Sequence, residues 1–188
     1  SDLVLTGQAD DSLIETYNDE AVATADENIL NSTRSTDFLT PKSAASQALR
    51  DAVLELAQDH AFARPFVNSG RLSTPVAYPA SRLSTPDRDL WQGGVAPGAP
   101  VLDAPHGDGW LLDALCDDFT LIATGWQGPP PQGVRLVLVE GLAAERLELA
   151  PGAAVLVRPD QYVAARWKSA SAADVEAALI RAKGGQSC

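Results

Sequence analysis

Between residues 64 and 100 the chain carries prolines at 65, 75, 79, 86, 97 and 100, punctuated by Gly70, Gly93, Gly94 and Gly98. Each proline fixes φ and removes a backbone donor, so neither a helix nor a central strand can run through this stretch. The chain must therefore be built as helices before it and a separate folded element after it. A connector this long without regular structure wraps over a surface or serves a function. Phe66, Leu72, Val76, Tyr78, Leu83, Leu90 and Trp91 within it favour packing over free flexibility.

The segment before the connector reads as two helices. Asp11 or Ser12 can cap the first, with Glu15 completing a capping box. Leu13, Ile14, Tyr17, Val22, Ala25, Ile29 and Leu30 follow at helical spacing. This helix is expected to weaken around Asn31-Ser32-Thr33, whose side chains compete for backbone hydrogen bonds, and to end before Pro41. A second helix is predicted from Ser43 to Asp59, with Ala48, Val53, Leu54, Leu56 and Ala57 on its apolar side. No sheet lies near either helix in sequence, so both need an outside surface to pack on.

After the connector the pattern turns α/β. A short helix is predicted at 109–115, a strand at 119–124, and a nearly all-apolar strand at 134–139 that suits burial on both faces. Strands at 153–158 and 161–167 are joined by a turn at Pro159-Asp160. A helix over 172–183 is capped by Ser171 and Asp174, buries Val175, Ala178, Leu179 and Ala182, and stops at Gly184. That order matches the second half of a thioredoxin-like sheet. The domains expected are a helical segment at 1–63, a Pro/Gly-rich connector at 64–98 and a thioredoxin-like domain at 99–188.

Charge narrows the partners. The net charge is −11. Residues 1–60 hold twelve acids against Arg34, Lys42 and Arg50, leaving −9, while 11 bases and 13 acids leave −2 in the remainder. Phosphate neutralisation needs clustered Lys and Arg, so a nucleic-acid partner is not expected. No apolar run reaches the ~20 residues that span a bilayer, and no signal-peptide pattern is present. Cys116 and Cys188 fit neither a metal spacing nor a disulfide framework, which points to a reducing cytoplasm. The chain starts Ser1-Asp2-Leu3 and contains no Met, as expected of a fragment or processed product.

Few residues suggest chemistry. Trp126-Gln127-Gly128-Pro129-Pro130 follows the first strong strand, where a thioredoxin carries Trp-Cys-Gly-Pro-Cys. Gln127 and Pro130 replace both sulfur positions, and exchange requires a thiolate. Cys116 adjoins Asp117 and Asp118, which would raise a thiol pKa; a structural thiol is the expectation. His60 and His106 lack the companions of a triad or metal site. Arg158, Asp160 and Arg166 sit on an otherwise apolar hairpin. They form either a ligand-facing cluster or, as we expect, a turn with arginines that blunt strand edges.

Three stretches carry a family resemblance. Ala153 to Trp167 resembles the terminal hairpin of FAD-dependent aromatic-ring hydroxylases related to phenol hydroxylase. In that family a strand ending Leu-Val-Arg-Pro-Asp leads into one of Tyr-Val-Ala-x-Arg type. Ala25 to Arg34, then Thr36-Asp37-Phe38 and Pro41-Lys42-Ser43, resemble the helix after the flavin domain in the hydroxyphenylpropionate-hydroxylase-like group. Leu13 to Glu20 is similar to the Leu-Leu-x-x-Tyr-x-x-Glu stretch before it. The resemblance implies the C-terminal portion of an NAD(P)H- and FAD-dependent monooxygenase acting on phenolic rings. The family's G-x-G-x-x-G turn and later Gly-Asp segment are missing from residues 1–188, so no catalytic, cofactor-binding or metal residue is expected here. The implied role is structural, covering an absent N-terminal flavin domain and contributing to homo-oligomer contacts. The alternative, from another class, is a free-standing, redox-inactive thioredoxin-like adapter that binds a protein.

Overall fold

A computed structural model describes residues 2–5, 7, 12–67, 75–115 and 117–185. The chain divides into two compact units, residues 1–20 with 77–188 and residues 21–76. In chain order the helices are α1 (Asp2–Leu5), α2 (Ser12–Leu39), α3 (Ala44–Asp59), α4 (Arg64–Val67), α5 (Leu111–Ala114), α6 (Gly141–Arg146) and α7 (Ala172–Ala182), with a 3-10 turn at Ala61–Ala63. The strands are β1 (Pro105–His106), β2 (Gly109–Trp110), β3 (Phe119–Ala123), β4 (Val134–Leu138), β5 (Ala154–Val157) and β6 (Val163–Trp167).

The larger unit is built on a four-stranded sheet of order β4-β3-β5-β6. Its first pair, β3 and β4, is parallel, while β5 runs antiparallel to β3 and β6 antiparallel to β5. With α6 after β4 and α7 after β6, this is a thioredoxin-like arrangement. A loop over 124–133 stands where such a sheet places a helix between its first two strands. Pro129, Pro130 and Pro131 account for that loss, because three successive prolines remove the donors a helix needs. Period-2 alternation splits the core by face. Ile122, Val155, Val157 and Val163 pack with Leu111, Ala143 and Leu147 on one side. Leu121, Ala154, Leu156 and Trp167 pack with Val175, Ala178 and Leu179 of α7 on the other.

The nearly all-apolar strand behaves differently from the sequence expectation. β4 is an edge strand with Arg135 and Leu138 exposed, whereas β3, β5 and β6 are buried throughout. An apolar run marks possible burial, but strand order decides which run is central. The hairpin and last helix fall close to expectation. Gln161 donates to the Arg158 carbonyl at 3.0 Å and takes φ 67°, closing a three-residue turn after Pro159-Asp160. Ser171 and Asp174 form the capping box, and Gly184, at φ 83°, ends the helix. Helix α6 carried no recognised signal in sequence.

The expected connector opens with a helical turn, α4, because Pro65 lies in its first turn, where no amide donor is needed; residues 75–101 contain no helix or strand, yet they are fastened to the sheet as a strap. The Gly98 and Thr85 amides donate to the Val163 and Ala164 carbonyls at 2.8 and 2.7 Å, and the Val163 amide donates to Ala99 at 2.9 Å. Val101 donates to Gln161 at 2.9 Å, and Pro100 pairs across from Tyr162. The strap thus covers the outer edge of β6 and satisfies polar groups that would otherwise template aggregation. Leu83, Val95 and Val101 are buried. The Gly93 amide reaches Glu148 Oε2 at 2.6 Å.

The smaller unit is helical. Helix α2 passes Asn31-Ser32-Thr33 unbroken and stops at Leu39, just short of Pro41; competition from short polar side chains is too weak to interrupt a long helix. Its expected cap at Asp11 or Ser12 lies outside the described residues and side chains. Ser43 caps α3 by accepting from the Ser46 amide at 3.1 Å. None of the residues of α3 is buried, and Leu49, Leu54, Leu56, Phe62 and Phe66 are exposed.

Candidate functional site

The hairpin arginines lie apart and have partners distant in sequence. Arg158 is 8% exposed, and its guanidinium grips both oxygens of Glu20 at 2.9 and 3.0 Å. Its Nε donates to Asp160 Oδ1 at 3.1 Å, and Nη2 makes a short bond to Asp160 Oδ2. Ser81 of the strap donates to Glu20 Oε1 at 2.7 Å. Arg158 also lies over the Tyr162 ring, 5.8 Å from its centroid, and that ring stacks on Tyr78 at 5.1 Å. Burial pushes the Glu20 carboxyl up, but the hydrogen bonds from Arg158 and Ser81 outweigh it and hold the group below its usual range. Burial likewise opposes charge on Arg158, and Glu20 and Asp160 overcome it, so its pKa is raised. The Tyr162 phenol is pushed up to about 12, first by burial and then by Tyr78.

Arg166 forms the second anchor. It binds Asp87 through Nε at 2.9 Å and Nη2 at 2.7 Å, donates to the Gly93 carbonyl at 2.9 Å, and stacks over Trp91 at 4.4 Å. These contacts correct the expectation for both arginines. Neither merely blunts an edge, since a buried guanidinium needs a carboxylate and each has recruited one. Asp160 does form the turn, while also serving Arg158. Sequence reasoning missed Glu20, Ser81, Asp87 and Trp91. A charged residue on an apolar strand signals that a partner exists, but nothing local selects it among 25 acids.

The loop after β3 holds no thiol chemistry. Gln127 is exposed and its amide reaches only the Gly125 carbonyl at 3.4 Å, while Trp126 packs at the α7 side of the core. Without a helix following β3, no helix N-terminus is available there to activate a nucleophile. Cys116 and Cys188 lie outside the described residues. His60 closes α3 and stacks on Phe62 at 5.7 Å; His106 sits in β1 opposite Gly109. No group of His, Cys, Asp and Glu able to hold a metal occurs among the described residues. No helix among them is long and apolar enough to cross a membrane.

A flavin dinucleotide does not fit the described strand-to-helix junctions. A diphosphate needs free amides at a helix N-terminus and no negative charge beside them. At α5 the Leu112 amide is already taken by Asp103 at 3.1 Å. At α6 the N-cap is Glu140, and at α7 Asp174 occupies the cap with Ser171. Gly94 serves close packing instead. A Cβ on Gly94 would lie 2.7 Å from the Leu147 carbonyl oxygen.

Comparison with solved structures agrees with this architecture. The rebeccamycin biosynthetic enzyme RebC with reduced flavin matches at TM-score 0.67 and 19% identity, over 98% of this chain and 39% of that one. The flavin-dependent monooxygenase PieE, in complex with FAD and substrate, matches at 0.55 and 18%, over 98% and 42%. Aklavinone-11 hydroxylase with FAD and aklavinone matches at 0.56 and 22%, over 97% and 37%. The chain therefore spans about two fifths of the length of these proteins. No curated protein sequence matches it. The family model described as aromatic-ring hydroxylase, C-terminal, matches residues 83–185, from the strap through the last helix. With that match over more than half of its residues, the chain belongs to the aromatic-ring hydroxylase C-terminal family.

Proposed function

We propose that this chain is the C-terminal structural portion of an FAD- and NAD(P)H-dependent monooxygenase that hydroxylates phenolic rings in the cytoplasm. The flavin site lies in an N-terminal domain outside these 188 residues. The observation that carries this reading is one of extent: nearly all of the chain aligns with about two fifths of each of three enzymes that bind flavin or FAD. Carboxylates at the described helix starts agree with a flavin bound elsewhere. The apolar side of α3, on which no residue is buried and Leu54 and Leu56 are exposed, fits a segment that docks on that N-terminal domain or on another subunit.

Two preparations test the proposal. The 188-residue chain, mixed with FAD and desalted, should emerge colourless and consume no NADH or NADPH. A polypeptide that joins it to an upstream flavin domain from the same reading frame should stay yellow and oxidise NAD(P)H when a phenol is added. Stoichiometric flavin retained by the 188-residue chain would refute the assignment of the site, and a reading frame without an upstream flavin domain would select the adapter. Light scattering on the longer polypeptide tests the oligomer, for which a monomer is the contrary result.

A further inference from the structure

We propose that Arg158 is a latch: it holds the opening turns of α2 against the hairpin turn and the strap, and it can release that helix end while the sheet stays folded.

The asymmetry of its two carboxylates supports this. Asp160 lies two residues from Arg158 on the same turn, is about half exposed, and binds Nε and Nη2. Glu20 is 138 residues away in sequence, only 15% exposed, and binds Nη1 and Nη2. An ion pair broken in a buried site ordinarily strands a charge, which is strongly unfavourable. Here departure of Glu20 leaves the guanidinium still paired with Asp160, and exposes Glu20, whose charge water readily solvates. The open state is therefore accessible where a simple buried pair would forbid it. Glu20 is also the last residue of the larger unit, and α2 runs on beyond it without a break. Its neighbours on the helix suit a detachable end: Thr16 is the buried position, while Ile14 and Tyr17 stand exposed. The other groups around the latch are the Ser81 hydroxyl, the stacked Tyr78 and Tyr162 rings, and the exposed Arg82–Asp19 pair at 3.3 Å.

Hydrogen exchange on the 188-residue chain tests the latch. Glu20→Gln should speed exchange at residues 16–20 roughly a hundredfold while changing β5 and β6 less than threefold. Asp160→Asn alone should leave residues 16–20 protected, because Glu20 still neutralises Arg158. The double variant should lose protection across β5 and β6, since the guanidinium is then stranded. Ser81→Ala, which removes one neutral donor, should open the helix end only a few-fold and serves if Glu20→Gln folds poorly. Unchanged exchange at 16–20 in Glu20→Gln, or equal loss there and in the sheet, would overturn the proposal.

Discussion

Gly98 closes the neck of the strap, and alanine there should be among the most damaging single-methyl additions in the chain. The residue takes φ +84°, and a Cβ built on it would lie 2.2 Å from the Tyr78 carbonyl oxygen and 2.7 Å from the Tyr78 carbonyl carbon. Both are backbone atoms, so no flexible side chain can swing aside. Tyr78 N–H donates to the Gly98 carbonyl at 2.7 Å, and Gly98 N–H donates to Val163 at 2.8 Å, so relieving the clash disturbs both bonds. A left-handed alanine costs about 1–2 kcal/mol, and forced backbone movement adds about 1–3 kcal/mol. The total, roughly 2–5 kcal/mol, is a large share of a typical domain stability of about 5–15 kcal/mol. Gly128 provides the control: its φ is +81°, but nothing lies within 4 Å of its Cβ position. Gly128→Ala bears only the conformational term, about 1 kcal/mol after the unfolded chain loses glycine's freedom. In equilibrium urea unfolding, with a slope of about 2 kcal/mol/M, Gly98→Ala should lower the midpoint by roughly 1–2.5 M and Gly128→Ala by about 0.5 M. Equal shifts in the two variants would refute the close approach and, with it, the strap's closed neck.

Arg166→Ala should cost about 2–4 kcal/mol, because it strips Asp87 and the Trp91 face of their partner; Arg166→Lys should recover less than half of this, having no planar fork. Urea midpoints of the two variants check the order. Glu20 and Asp174 are held below the usual carboxylate range, Asp174 chiefly by the Ser171 hydrogen bond. Their contribution is therefore complete at neutral pH, begins to fade as pH drops through the ordinary carboxylate value of about 4.3, and is gone below the folded-state values. Urea midpoints from pH 6 to 3 should fall, and the fall should be shallower in Glu20→Gln. The Tyr162 phenol should ionise near pH 12. Ultraviolet phenolate titration should lose its step near pH 12 in Tyr162→Phe, and an unchanged curve would contradict the half-buried stack of Tyr162 on Tyr78. Dithiothreitol-driven insulin reduction should not accelerate with the protein present, since neither Gln127 nor Pro130 can supply a thiolate; a rate abolished by Cys116→Ser would reverse that conclusion.

The local signals in the sequence were read by the same physics that builds the elements. Ser171 and Asp174 mark a helix start because they satisfy amides within four residues of themselves. Pro159-Asp160 marks a turn because proline presets φ, and Pro41 sets the limit of α2 because it cannot accept a place in the helix interior. Trp126 to Pro130 announced the loss of redox sulfur directly. The hairpin motif at 153–167 was specific enough to suggest the family later matched over residues 83–185.

Tertiary structure alone decided the pairings between distant segments. The apolar run at 134–138 became an edge because β3 took the central place between β4 and β5, and strand order has no local signature. The strap's role depends on Gly98, Thr85 and Val101 meeting the hairpin of residues 161–164. Arg158 and Arg166 announced a need for counter-charges, yet Glu20 and Asp87 were chosen by the fold, 138 and 79 residues away. Short-range hydrogen bonding and backbone sterics write themselves into a few adjacent residues. Ion pairing and edge covering are satisfied by any suitable group that the folded chain brings within reach.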